Sequence, residues 1–479
     1  MSSFIFLWIG YAAILIFVAR ISRGHDALLP GRIGVVVQAL AYVATYVSAV
    51  ALVGFGGLCY LFGLQMLLVA AGNVWFGTWF VYKYLAWPTR LWQRKLGART
   101  PAELISKAYN CPFLQMFIGL LSAVLLVVYG SAVFKGAAVM LAGVIPVSVE
   151  TALVVLVALV GLSVVFGGLR GVLYTEALQG LVMAIGVGAL LVAVICEAGG
   201  PINGLAKLSA LPPTNAADNG FLALSSGAGG LNVIFLAVVT SIGIWAQPQL
   251  IQRHFALHSK GEAGHAAPLA MLVLSVVVGG AYFASALSRV VLGGGITDPD
   301  TVMPALVHKL LPALGQQLFA LAIVSASLST ASALLHIASG SIGRDVFGKE
   351  LKGNSWRASV ILCTVGSGIF AMKSGAIIAV ICATSWTLLA CAIMVPYIAL
   401  LMRGPAAGAR AAAASSICGL AASCAWYAFA YASTSVGMTG ISAPGIIGAI
   451  HPIVPGIAVS ALAFIVFSDS RQKISAASE

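Results

Sequence analysis

Charge is what this chain has least of. Only 8% of its 479 residues are Asp, Glu, Lys or Arg, against about a quarter in an ordinary soluble domain. That scarcity excludes a soluble globular protein. The eight cysteines stand mostly singly within apolar runs, with no CxxC pair and no Cys/His cluster, so neither a disulfide framework nor a zinc site is supported. The glycine-rich phosphate loop of an ATPase, a nucleophile triad and a metal-hydrolase motif are all missing, which argues against an ATP-driven pump and an intramembrane enzyme. The first apolar run lacks both a basic leader and a small-residue cleavage site, so it reads as a helix of the mature protein.

What abounds is apolar residue, 61% of the chain. Runs of roughly 20 residues recur along its length, each long enough to cross a bilayer. Backbone groups in lipid must bond within their own segment, so the runs are expected to be helices. The short alternating segments of a transmembrane β-barrel do not occur. Spans are predicted at roughly 4–20, 35–60, 64–86, 113–142, 149–167, 172–197, 229–248, 267–290, 305–340, 357–372, 375–402, 412–432 and 452–468. The fold class is therefore an all-α membrane protein of about thirteen transmembrane helices. It forms one polytopic domain over 1–479, with a peripheral helix at 4–20, core repeats at about 35–197 and 229–402, and extra helices at 412–468. The longest inward loops are 87–112 and 249–266; the outward loop 198–228 reads as an irregular cap.

A net charge of +12 could suggest nucleic acid, but its placement argues otherwise. With the N-terminus outside, 20 of the 25 Lys and Arg fall in inward loops and helix ends. The positive-inside rule then puts the C-terminus inside. The setting read is a bacterial inner membrane, with lipid rather than nucleic acid as the partner.

Two spans carry interruptions. Tyr46 and Ser48 are followed by Gly54, Gly56 and Gly57; Ser241 and Gly243 are followed by Gln247 and Pro248. Counted after the first helix, these are spans one and six of ten. Broken helices at matching positions of two halves point to a five-plus-five inverted repeat with a site at its centre. The plainer reading of the glycines is close helix packing.

The most informative stretch is Ala326 to Thr330. Ala326, Ser329 and Thr330 stand at i, i+3 and i+4 and share one helical face. Two neutral hydroxyls and a carbonyl near Ala326 suit an alkali cation, provided further oxygens face them. Helical carbonyls are already bonded, but unwinding near Ala44 and Val47 would free theirs. The competing reading is that such hydroxyls only bond the preceding turn. The metal-binding set read here is Ala44, Val47, Ala326, Ser329 and Thr330, for sodium.

Two ionisable residues sit well inside spans, Lys135 and Glu176, and intramembrane charge is costly enough to suggest function. Lys135 either snorkels to the interface or offers an ammonium to an anionic solute. Glu176 is read as a second cation ligand with Ser332, or as a gate partner for Arg170 or another inner-loop base. His336, two turns from Ser329, either relays protons or is a satisfied core histidine. Tyr46, Ser48, Lys135, Trp245 and Gln247 form the candidate solute-binding set.

At this point four stretches resemble the sodium:solute symporter family: Ala44 to Ser48 with Gly54 to Tyr60, Phe166 to Gln179, Gln247 to Arg253 with Ser259 and Lys260, and Ala326 to Ser332 followed by Arg344 and Asp345. The likeness is strongest to its sodium/pantothenate branch, through the Thr45–Tyr46–Ser48 pattern, Gln179 to Met183 and the stretch His451 to Pro455. The resemblance implies a leucine-transporter-type inverted repeat with flanking helices, and a sodium site at the positions just named. It also implies departures. Gly56 replaces a frequent proline. Members with a second sodium use an aspartate where Glu176 stands and hydroxyls where Ala333 stands, so one sodium is expected. Tyr46 replaces the proline carriers' aspartate, and Val50–Ala51 the sugar carriers' Glu–Gln pair.

The function expected is a sodium-coupled secondary symporter importing a small organic solute, an anionic carboxylate such as a monocarboxylate or pantothenate, by alternating access. A proton-coupled carrier using Glu176 or His336 is the alternative. A transporter-like sensor and a channel are weaker ones.

Overall fold

The computed structural model describes residues 33–224 and 227–468, with a few positions between Ile9 and Ile21. At positions 163, 166–172, 227–229, 436 and 437 only the backbone is described. Most of the expected helix 4–20 and the side chain of Arg170 thus lie outside the described residues. Tyr11 is among those described, and its hydroxyl meets Ser325 at 2.5 Å.

Among the described residues the only β pairing is an isolated bridge between Thr214 and Ala217. The α-helices are α1 Val35–Tyr46, α2 Phe55–Phe62, α3 Leu67–Val74, α4 Trp87–Leu96, α5 Pro101–Tyr109, α6 Pro112–Val144, α7 Val149–Glu197, α8 Pro201–Ser209, α9 Gly227–Ser241, α10 Pro248–His254, α11 Lys260–Leu274, α12 Gly280–Leu292, α13 Val302–Leu310, α14 Ala313–Ser341, α15 Gly353–Lys373, α16 Ile378–Arg403, α17 Gly408–Phe429, α18 Ala432–Thr439, α19 Gly445–Ala449 and α20 Ile453–Val466. Wider π-helical turns link α3 to α4, at Trp75–Trp79 and Val81–Ala86, and α11 to α12, at Ser275–Gly279.

Eight helical stretches among the described residues are long and apolar enough to cross a bilayer, or nine with the bent pair Gly230–Ala246 and Pro248–His254, which turn by 53°. Val35–Tyr46, Val149–Leu162 and Ile453–Val466 are shorter apolar helices. Helix α7 thus carries both the 149–167 and the 172–197 spans. The architecture is that of a multi-pass membrane protein.

Helix α14 runs through the middle, with 94% of its most apolar window buried, against α6 and α7. Small residues permit this. A side chain at Gly186 of α7 would reach within 2.6 Å of the Ala322 methyl, which is how helices approach closely where no hydrophobic drive separates lipid from protein.

Two expectations are corrected here. The span expected at 305–340 begins at Ala313, and 302–310 is the separate helix α13. Pro312 explains the gap: it forces Leu311 into an extended conformation (φ −100°, ψ 138°), as a residue before proline prefers. The inward loop expected from 249 is helical to His254. Pro248 starts a helix there rather than ending one, because a first-turn proline forgoes only an N–H that would be unpaired anyway.

The two faces are closed differently. At the basic face, Glu103 pairs with Arg344 (2.8 Å) and Lys107 (2.8 Å), and Arg99 with Glu350 (3.3 Å). Burial works against the Glu103 charge, but these partners and the Arg99 N–H hold its carboxyl below the usual carboxylate range. At the opposite face, Arg289 covers the rings of Tyr60 (4.7 Å) and Phe221 (4.5 Å). The cap expected to be irregular contains the helix α8, and it plugs in through its later part: Leu64 N–H donates to Phe221 O (2.8 Å), beside Gly63 at φ +69°, a conformation glycine tolerates best.

A candidate ion site beside a candidate solute pocket

The chain unwinds between α1 and the π-helical turn at Val50. Val47 is extended (φ −98°, ψ 126°), and Ser48 Oγ accepts the Val50 N–H (3.1 Å), as a turn-forming hydroxyl does. The carbonyls just before the break therefore lack helical donors and turn to α14.

There they meet the hydroxyl pair. Ser329 Oγ lies 2.9 Å from Ala44 O and 2.8 Å from Ala326 O. Thr330 Oγ1 lies 3.2 Å from both Ala44 O and Val47 O, and 3.5 Å from Thr45 O. All five residues singled out for an ion are buried. Their oxygens are neutral and hard, and each hydroxyl keeps lone pairs to present, a donor set that suits a monovalent hard cation. Among the described residues no group of three His, Cys, Asp or Glu could hold another kind of metal.

The side chains of the same break face another way. Tyr46 and Ser48 line a narrow cavity of about 10 Å³ with Asn73, Tyr129, Tyr282 and Trp386. Among the described residues no charged side chain lines it. Tyr46 OH donates to Thr240 O (2.6 Å), tying the first broken helix to the second. With its amide nitrogen turned inward, Asn73 donates to Thr240 Oγ1 (2.9 Å) and to Tyr46 OH (3.1 Å). Asn73 is a pocket residue that sequence reasoning missed. An amide well inside the 64–86 run was signal enough, since an unpaired buried amide is expensive.

Three expected solute residues lie elsewhere. Lys135 donates to the carbonyls of Ser374 (3.1 Å) and Ala376 (2.7 Å), beyond the end of α15. Trp245 donates from Nε1 to Phe76 O (3.0 Å) and stacks on Phe80 (4.5 Å). Gln247 is buried and braces the second break, with Nε2 on Gly243 O (3.3 Å) and Trp386 O (3.2 Å). In each case a polar side chain at least half removed from solvent is satisfied by backbone oxygen.

Glu176 pairs with Arg253 at 2.5 Å, both fully buried. Thr45 stands between them: its Oγ1 donates to Glu176 (3.3 Å) and accepts from Arg253 Nε (3.2 Å). The base is thus Arg253 of α10, which the sequence placed in a loop, and the pair grips the residue between two of the carbonyls that face Thr330. Ser332 is buried one turn along α14 from Ser329. His336 is buried and meets Trp356 edge-on at 5.0 Å.

The sequence model of the sodium:solute symporter family matches residues 28–402. A sodium/pantothenate symporter of Haemophilus influenzae is 30% identical over 318 residues, 65% of this chain and 63% of that protein. One from Escherichia coli is 27% identical over 320 residues, 66% of this chain and 64% of that protein. The matched stretch thus spans just under two thirds of either relative. A high-affinity proline transporter of Bacillus subtilis is 26% identical over 71% of both chains. In fold, the chain is similar to a solved Na+-coupled sialic acid symporter (TM-score 0.72, 13% identity, 97% of this chain and 96% of that one). It is also similar to MhsT in complex with L-phenylalanine (TM-score 0.57, 13% identity, 90% and 97%). These transporters share the leucine-transporter-type fold.

Proposed function

This chain belongs to the sodium:solute symporter family, and on that footing we propose that it is a sodium-coupled secondary symporter, not an enzyme, that imports a small carboxylate-bearing solute by alternating access. The observation that carries the reading is the meeting of Ala44, Val47, Ala326, Ser329 and Thr330 oxygens across a break in α1. Sodium is the co-transported cargo. Bound there, it would bridge α1 to α14 and fix the stretch whose side chains receive the solute. Such coupling is reciprocal and typically worth about 1–3 kcal/mol.

The pantothenate-like class is supported by the names of the two relatives. The cavity's neutral lining refines how a carboxylate would be held. Its countercharge would be the sodium itself, not Lys135. The basic face is assigned to the cytoplasm of a bacterial cell, with the N-terminus outside.

The test is uptake of radiolabelled solutes into proteoliposomes under an imposed sodium gradient, screened over carboxylates, amino acids and sugars. Accumulation of a carboxylate that vanishes without sodium is expected. Uptake that persists without sodium yet collapses on Glu176→Gln would replace sodium with a proton as the coupling ion.

A further inference from the structure

Three helices that line the solute pocket continue past it toward the face opposite the basic one. On α2, Phe55 lines the pocket and Leu58 and Phe62 follow. On α16, Trp386 and Cys382 give way to Ala383, Val380 and Ala379. On α9, Thr240 is preceded by Leu236 and Asn232. These later positions form one side of a second, open cavity of about 420 Å³.

The other side comes from outside the matched region 28–402. It is built by Tyr427, Tyr431, Ser433 and Thr434 after α17, and by His451 before α20. This wall is fixed rather than loose. His451 meets Tyr431 at 5.3 Å, Tyr427 at 6.0 Å and, on the core side, Phe235 at 6.4 Å. Trp426 Nε1 donates to Ile450 O (2.9 Å) and Thr434 Oγ1 to Tyr427 O (2.8 Å). The Ile453 N–H donates to His451 Nδ1 (3.4 Å), which leaves the ring proton on Nε2. Burial pushes the imidazole down to about 4, so it is neutral near pH 7. The wall therefore offers hydroxyls and an imidazole N–H without charge, donors that a carboxylate can use without being trapped by an ion pair.

We propose that this cavity is the solute's entry vestibule, and that the segment from Tyr427 to His451 is its selective wall, receiving a carboxylate-bearing solute before it descends between Phe55 and Trp386. The proposal rests on the symport reading above. A distinct part of the chain thereby screens cargo while the core couples it to sodium.

The experiment uses the full chain in proteoliposomes, with the exposed Cys196 and Cys424 replaced by serine and pantothenate as first probe, followed by the carboxylate panel. Ser433 is exposed and lines the cavity, so Ser433→Cys gives an addressable position with little risk to folding. A bulky membrane-impermeant maleimide on Ser433→Cys is expected to cut uptake about tenfold, and sodium plus solute to slow its reaction. His451→Gln and Tyr431→Phe are expected to raise the half-saturating solute concentration several-fold, leaving the sodium dependence of thermal stability unchanged. Normal uptake in the parent protein, indifferent to all three changes, overturns the wall alone. Absence of sodium-driven carboxylate uptake in the parent overturns the symport reading and the wall with it.

Discussion

Four hydroxyls on one face-rich stretch of α14 divide by what they bond. Ser327 keeps to its own helix, on Ile323 O (2.8 Å), while Ser325 bonds Leu321 O (2.6 Å) and meets the Tyr11 hydroxyl. Ser329 and Thr330 cross to α1. Only the second pair can sense whether an ion is present. Ser329→Ala and Thr330→Ala should each raise the half-saturating sodium concentration, by about 10- to 100-fold if each oxygen is worth 1.5–3 kcal/mol; sodium titration of uptake checks this, and unchanged dependence in both variants would remove the site. The Glu176–Arg253 pair makes a stability prediction. Losing one partner strands a buried charge, at a cost of about 3–5 kcal/mol. Glu176→Gln and Arg253→Gln should each lower the thermal midpoint in detergent more than an even share of the double variant's loss. Glu103 makes a pH prediction. Its folded-state pKa is depressed, so its stabilisation is complete above the unfolded value near 4.3 and is lost as pH falls through the lower, folded one. The gap in thermal midpoint between the parent and Glu103→Gln should close on acidification across that window.

At the scale of elements, the breaks were legible and their continuations were not. Glycine and proline punctuated both interrupted helices in the sequence. Arg253 was missed because Pro248 read as a stop, although at a helix start proline is well placed. Lys135 was left between an interface anchor and a solute group, because composition flags a charge within a span without naming its partner. The carbonyls of Ser374 and Ala376 claim it, so the residue fastens the link from α15 to α16. Lys135→Met should cost about 1.5–3 kcal/mol and depress uptake of anionic and neutral solutes alike; a selective loss for anions would restore the earlier reading. The ion-facing set, by contrast, could be drawn up from spacing, since i, i+3 and i+4 share a face wherever the helix lies.

For the whole molecule, charge balance becomes the issue. The pocket lining carries no charge and the ion site is built of neutral oxygens. One sodium travelling with one monocarboxylate would therefore move no net charge. Clamping the membrane potential across proteoliposomes should leave such uptake unchanged; a dependence approaching the roughly 2.3 kcal/mol per charge per 100 mV limit would mean a second sodium or a neutral cargo. Hydropathy and basic-residue placement conveyed the membrane class and the all-helical fold. They could not convey which helices surround the pocket from afar, because Asn73, Tyr129 and Tyr282 are brought together only by packing.

Residues 44–48 divide their labour around one break, with the carbonyls of Ala44, Thr45 and Val47 toward α14 and the side chains of Tyr46 and Ser48 toward the cavity. Slippage, an ion crossing unaccompanied, would require that stretch to settle while half of its company is absent. If the proposed symport holds, fidelity would follow from economy: ion and solute would share one short piece of chain, and neither could bind without rearranging the other's seat.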